Sequence, residues 1–152
     1  MSVLVRQVLC ALLLCGVLSA QAGGRAKYIG GTLALIPQST EGRIVATDEE
    51  HLVFRCKRQE LRVRYDRINL LEYGQKVDRR IALALIVSPM FLLSKKRDHF
   101  LTIGYLDNEG RQQALVFRVD KGDIRTVLVS LEARTGRKVE FQDEEARKAG
   151  KG

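Results

Sequence analysis

Tryptophan is missing from this 152-residue sequence, and aromatic residues of all kinds make up only 6% of it. Proteins that grip single-stranded nucleic acid use aromatic rings as stacking platforms beside a basic groove, so nucleic acid is not an expected partner. Histidine occurs twice, as His51 and His99, and cysteine three times, as Cys10, Cys15 and Cys56. No His-x-x-x-His or Cys-x-x-Cys spacing is present, and a zinc site needs three or four converging ligands. A surface histidine and a buried cysteine explain His51 and Cys56, which fall on opposite faces of one predicted strand. No metal and no other cofactor is expected. Cys10 and Cys15 lie in an N-terminal apolar run, so once that run is removed Cys56 has no intrachain disulfide partner.

Signs of catalysis are equally scarce. Gly-x-Ser-x-Gly is absent, and Ser39, Ser88, Ser94 and Ser130 have no neighbouring histidine. Gly30-Gly31 precedes a strand, not the helix N-terminus that lets a glycine loop cradle phosphate. The acidic clusters Asp48-Glu49-Glu50 and Asp143-Glu144-Glu145 fall in a predicted turn and a predicted tail. The sequence therefore points away from an enzyme.

Basic charge is plentiful, with 26 Lys+Arg against 18 Asp+Glu. Such a balance favours anionic partners. Residues 1–22 read as a cleavable export signal. Arg6 supplies the positive n-region, Val8 to Leu18 the apolar h-region, and Ala20-Gln21-Ala22 the small-residue cleavage pattern. Only Arg6 of all the cations lies there, so the basic excess belongs to the mature domain. The localisation expected is outside the cytoplasm, in the periplasm or cell envelope or secreted, with cleavage after Ala22.

After the signal, residues 23–30 read as a flexible leader. Short β signals then follow with turn punctuation: Thr32 to Ile36, Arg43 to Thr47, His51 to Cys56, Leu61 to Tyr65, Ile68 to Tyr73, Phe100 to Leu106 and Gln113 to Val119. Leu61, Val63 and Tyr65 alternate with Arg62 and Arg64, the pattern of a half-buried strand. A helix is predicted over Lys121–Thr135. Asp120 is its candidate N-cap, Asp123 adds charge to the first turn, and Gly136 is the left-handed stop. Ile124, Val127, Leu128 and Leu131 make its apolar stripe. Val139 and Phe141 suggest a short last strand, and residues 142–152 a disordered tail.

Antiparallel strands followed by one C-terminal amphipathic helix resemble the pleckstrin-homology-like (PH-like) superfold and its GRAM-like and bacterial PH-like modules. The resemblance is carried by Leu61-Arg-Val-Arg-Tyr-Asp-Arg-Ile68, the hairpin 99–119 and the helix Lys121–Thr135. It implies a mainly β domain over residues 31–141, an antiparallel curved sheet or barrel of about seven strands closed by the helix. It also implies lipid or protein binding without catalysis.

One stretch departs from that pattern. Residues 79–97 place fourteen mostly apolar residues between Arg79-Arg80 and Lys95-Lys96-Arg97. Three readings compete: strands buried on both faces, an apolar helix broken at Pro89, or an element presented to a bilayer or partner. Fourteen residues of helix reach about 21 Å, too short for the ~30 Å hydrocarbon core. Dipping into a bilayer is allowed and spanning it is not. Basic brackets favour presentation to an anionic membrane surface or an envelope protein. The expected binding residues are Arg79, Arg80, Leu83, Leu85, Met90, Phe91, Leu92, Lys95, Lys96 and Arg97. The alternative is a protein-interaction or oligomerisation module with residues 81–93 buried against another subunit. A further cluster, Arg55, Lys57, Arg58, Arg62, Arg64 and Arg67, forms a candidate basic face or simply a solvated strand surface. The export expectation has a direct check. Edman sequencing of the protein recovered from an exporting host should begin at Gly23, and a chain that begins at Met1 would contradict it.

Overall fold

The computed structural model describes residues 23–33, 36–77, 86–87 and 97–151. Nine strands run in chain order: β1 (Gly23–Gly31), β2 (Thr40–Val45), β3 (His51–Cys56), β4 (Glu60–Arg64), β5 (Ile68–Gly74), β6 (Ile86–Val87), β7 (His99–Leu106), β8 (Gln112–Val119) and β9 (Glu140–Phe141). Two helices, α1 (Ile124–Thr135) and α2 (Glu144–Lys151), complete the described elements. The strands form one sheet in the order β4-β3-β2-β1-β8-β7-β5-β9, with β6 added beside β1. All ladders are antiparallel except β5 with β9. No helix among the described residues is long and apolar enough to cross a membrane.

The mainly β class and the C-terminal helix are as the sequence implies, but the closed antiparallel barrel of seven strands is not. The sheet is mixed and open. It is also strongly curled, because only the single 3-10 turn Tyr65–Arg67 joins β4 to β5, which stand near opposite ends of the order. Closure would need a ladder along the free edge of β5. That edge is occupied instead, since Glu72 and Tyr73 pair with Glu140 and Phe141 of β9.

Alternation gives the sheet two faces. Ala26, Tyr28, Ile44, Phe54, Leu101, Ile103, Leu115 and Phe117 point to one side, where Ile124, Val127, Leu128 and Leu131 of α1 join them in a single buried cluster. The helical stripe is therefore the one the spacing predicts. Each of the buried Val, Leu, Ile and Phe side chains contributes about 1.5–3 kcal/mol, as an upper figure. Gly136 ends α1 with φ 68° and donates to the Glu132 carbonyl. Asp123, rather than Asp120, is the N-cap residue, and its carboxylate accepts the Arg25 backbone N–H at 2.7 Å.

Two segments expected to lack structure are folded. The leader 23–30 is strand β1, in the middle of the sheet with β2 on one side and β8 on the other. Its glycines are there for close approach. A Cβ on Gly24 would lie 2.3 Å from Asp123, and one on Gly31 would lie 2.7 Å from the Ala114 carbonyl oxygen. The strand expected at Thr32 to Ile36 thus lies earlier in the chain, and Thr32 and Leu33 form a bend. The tail, in turn, carries α2. The Asp143 carboxylate accepts the Ala146 N–H at 2.6 Å as its cap, and fully buried Ala146 packs into the main core.

Ordered elements among the described residues consequently extend on both sides of 31–141, to β1 at Gly23 and to α2 at Lys151. A truncation that starts at Thr32 should be unfolded by circular dichroism, because it deletes both central ladders. A dispensable leader would instead leave the thermal midpoint unchanged.

Candidate functional site

Val77 just before the basic-flanked stretch, its midpoint Ile86-Val87 and its last residue Arg97 have described positions. Val77 is buried three residues after β5 ends, and Arg97 lies two residues before β7 begins. Because Gly74 pairs with Phe100, both ends leave from the same end of the β5–β7 ladder. The midpoint is elsewhere. Ile86 and Val87 pair with Gly31 and Gly30 on the far side of β1. Between these anchor points lie β7, β8 and β1, a lateral separation of about 19 Å at ~4.8 Å per strand. Arg97 is exposed and meets Glu145 of α2 at 3.4 Å. Arg79, Arg80, Leu83, Leu85, Met90, Phe91, Leu92, Lys95 and Lys96 lie outside the described residues.

On the sheet face turned away from α1, beside these anchors, sits a second apolar cluster. It comprises Ile29, Phe100, Val116 and Val77, each at most 9% exposed, with Ala114 packed against it. No periodicity in the sequence announced it, because one member comes from each of β1, β7, β8 and the exit after β5.

At the root of the stretch, His99 and Tyr73 lock β7 to β5. The Tyr73 hydroxyl and His99 Nδ1 are 2.5 Å apart, and the rings stack at an interplanar angle of 12°. Tyr73 is sealed beneath Phe141, whose ring meets it edge-on at 5.9 Å. Burial pushes the phenol up to about 12. Burial, reinforced by the Lys121 ammonium and opposed by Asp98, holds the imidazole below its ordinary value. With both rings neutral, the phenol donates and Nδ1 accepts. No described carboxylate hydrogen-bonds His99, and Asp98 lies 3.6 Å from Arg118. The pair is thus built to stay neutral and to hold two strands together.

The remaining candidates resolve locally. Among the described residues no group of three His, Cys, Asp or Glu could hold a metal ion. The Cys56 thiol donates to the Gln59 carbonyl at 3.1 Å inside its own hairpin. It borders a cleft of about 520 Å³ between Pro37, Thr40, Lys57 and Arg58. Asp48 turns its carboxylate to the backbone N–H groups of Glu50 and His51, which lower its pKa, so this acidic cluster builds a turn. The second basic group is split. Arg55 and Arg62 share Glu60 at 3.0 and 2.7 Å, Arg64 pairs with Asp66, and Arg67 is drawn away to the Asp107 carbonyl. Arg25 and Arg43, on the same sheet face as Arg55 and Arg62, were not among the residues singled out, because their strands carried weaker signals.

Fold and surface together define a mainly β chain with one face packed under helices and the other turned outward with its charges. No protein-family model matches the chain, and no curated protein matches it in sequence.

The Tyr73–His99 pair fixes a pH response. His99 binds its proton less readily in the fold than in the unfolded chain. Its contribution is complete above about pH 6.5 and is lost as the pH falls below that value. Tyr73 resists ionisation, so its contribution is lost as the pH rises from about 10 towards 12. In urea titrations across pH, His99→Gln should flatten the acid fall that sets in below about pH 6.5, and Tyr73→Phe should reduce the alkaline one. An unchanged acid limb in His99→Gln would refute the assignment.

Proposed function

We propose that this chain is an exported, non-catalytic binding module of PH-like build. It meets an anionic membrane surface, or a protein at that surface, through the basic-flanked stretch 79–97. The observation that carries this reading is the placement of the stretch's anchors. Its midpoint is pinned to β1 by a two-residue ladder, while its ends return to β5 and β7. Anchors on both sides of three strands, with α1 filling the inner face, support a reading in which the outward face is the one presented. The apolar cluster there consists of four buried side chains. The sequence of 81–93 offers Ile81, Leu83, Leu85, Ile86, Val87, Met90, Phe91, Leu92 and Leu93, more apolar surface than that cluster needs. The surplus, bracketed by five cations, suits the interfacial layer of a bilayer, where apolar groups sink among acyl chains and Lys/Arg remain at the headgroups.

Co-sedimentation distinguishes the outcomes. At low salt the protein should pellet with mixed phosphatidylglycerol–phosphatidylcholine vesicles and stay in solution with phosphatidylcholine alone. Replacing Arg79, Arg80, Lys95, Lys96 and Arg97 by Gln should abolish pelleting, since each cation near the surface is worth about 1 kcal/mol. Wild-type protein left wholly in the supernatant would overturn the membrane reading. If light scattering then showed a concentration-dependent mass that Leu85→Asp and Phe91→Asp abolish, the stretch would be a subunit interface.

A further inference from the structure

Three arginines stand in one row across the outward face. Arg25 of β1 is the Cα partner of Arg43 of β2, and Arg43 is the partner of Arg55 of β3. All three alternate with core residues, namely Ala26, Ile44 and Phe54, so their side chains share the side away from α1. Directly opposed like charges on neighbouring strands destabilise a sheet. Here the repulsion occurs twice in succession.

The neighbouring acids do not relieve it evenly. Asp120 takes Arg25 at 3.1 Å from the rim, and Glu60 takes Arg55 together with Arg62. Glu41 lies 3.8 Å from Lys27. Arg43, the middle of the row, is exposed, and its side chain has no ion pair or hydrogen bond among the described residues. Across the outward positions of β1 to β4, Arg25, Lys27, Arg43, Arg55, Arg62 and Arg64 therefore meet Glu41 and Glu60 from the strands, with Asp120 and Asp66 reaching Arg25 and Arg64 from outside them. Beside this row on the same face lie Val45 and Val53, opposed to one another.

We infer that this arginine row is a docking surface for an anionic lipid bilayer, with Arg43 as its free central cation among the described residues. The inference rests on the membrane reading above and adds a second contact to it. The row and the β6 anchor of the apolar stretch share the strand β1. A bilayer that receives the stretch is thus brought up to the row. Charge complementarity supplies the rest, because lipid phosphates can lie between guanidinium groups and relieve their mutual repulsion.

The test uses the processed full chain and vesicles of phosphatidylglycerol and phosphatidylcholine. Arg43→Gln should weaken vesicle binding about fivefold, and the triple Arg25→Gln, Arg43→Gln, Arg55→Gln about a hundredfold. Arg43→Lys should retain binding. The thermal midpoint of Arg43→Gln should be unchanged or higher, since a repulsion is removed. Wild-type affinity in the triple variant, alongside loss of binding in the 79–97 variant, would overturn the row and leave the membrane reading standing. Failure of the wild type to bind would remove both. A triple variant that loses heparin binding while keeping vesicle binding would mark the row as a site for a soluble polyanion and also overturn it.

Discussion

The double pairing of β1 is the constraint on which the rest of the molecule depends. Its first half is bonded to β2 and its second half to β8, while its last two residues take β6 on the edge that β2 has vacated. One strand thereby joins the four-strand charged half of the sheet, the β7–β8 hairpin and the midpoint of the apolar stretch. Glycine makes this arrangement fit. Gly24 lets Asp123 at the start of α1 come down onto the strand, and Gly31 lets Ala114 and Tyr28 close over its end. Larger residues there would push the helix off the sheet at one end and the ladder apart at the other.

From that strand the division of labour between the faces follows. The concave side is filled by Tyr28, Phe54, Phe117 and the α1 stripe, with aromatic contacts between Phe54 and Phe117 at 4.9 Å. It is the stable side, and its side chains are fully committed to packing. The outward side carries a small apolar patch near β7 and β8 and a run of cations across β1 to β4. The apolar patch is itself buried, so the cations are what this side presents, and the proposed anionic headgroups match them in charge. The Tyr73–His99 bond sits where the stretch departs, and its neutrality keeps that root rigid at neutral pH.

What could be read from the sequence was whatever rested on periodicity. The strands β3, β4, β5, β7 and β8 and the helix α1 have alternating or 3.6-residue apolar patterns, and they lie where those patterns place them. What escaped were elements defined by tertiary fit. Gly23 and Gly24 look like a linker, yet they are glycine because other atoms occupy the space of a Cβ. The tail looks like a solvated run, yet Asp143 caps it and Ala146 and Gly150 give it a face small enough to lie on Tyr73 and Phe141. The barrel expectation failed for a similar reason, because two residues, Glu140 and Phe141, took an edge that pattern alone leaves free. Of the candidate site, the stretch's composition was visible but not its anchor on β1. The arginine row was half visible, since Arg55 and Arg62 stand in alternating strands while Arg25 sat in the supposed leader.

The central claim is that the outward face, and not the helical one, meets the membrane. In a Cys56→Ser background, a single fluorophore is placed either at Val45→Cys, on β2 in the row next to the arginines, or at Val129→Cys, on the 65% exposed outer side of α1. Aqueous iodide quenching is then measured with and without phosphatidylglycerol-containing vesicles. Vesicles should shield the label at 45 and leave the label at 129 as quenchable as in solution. Shielding at 129 with free access at 45, or equal access at both while the protein is vesicle-bound, would contradict the claim.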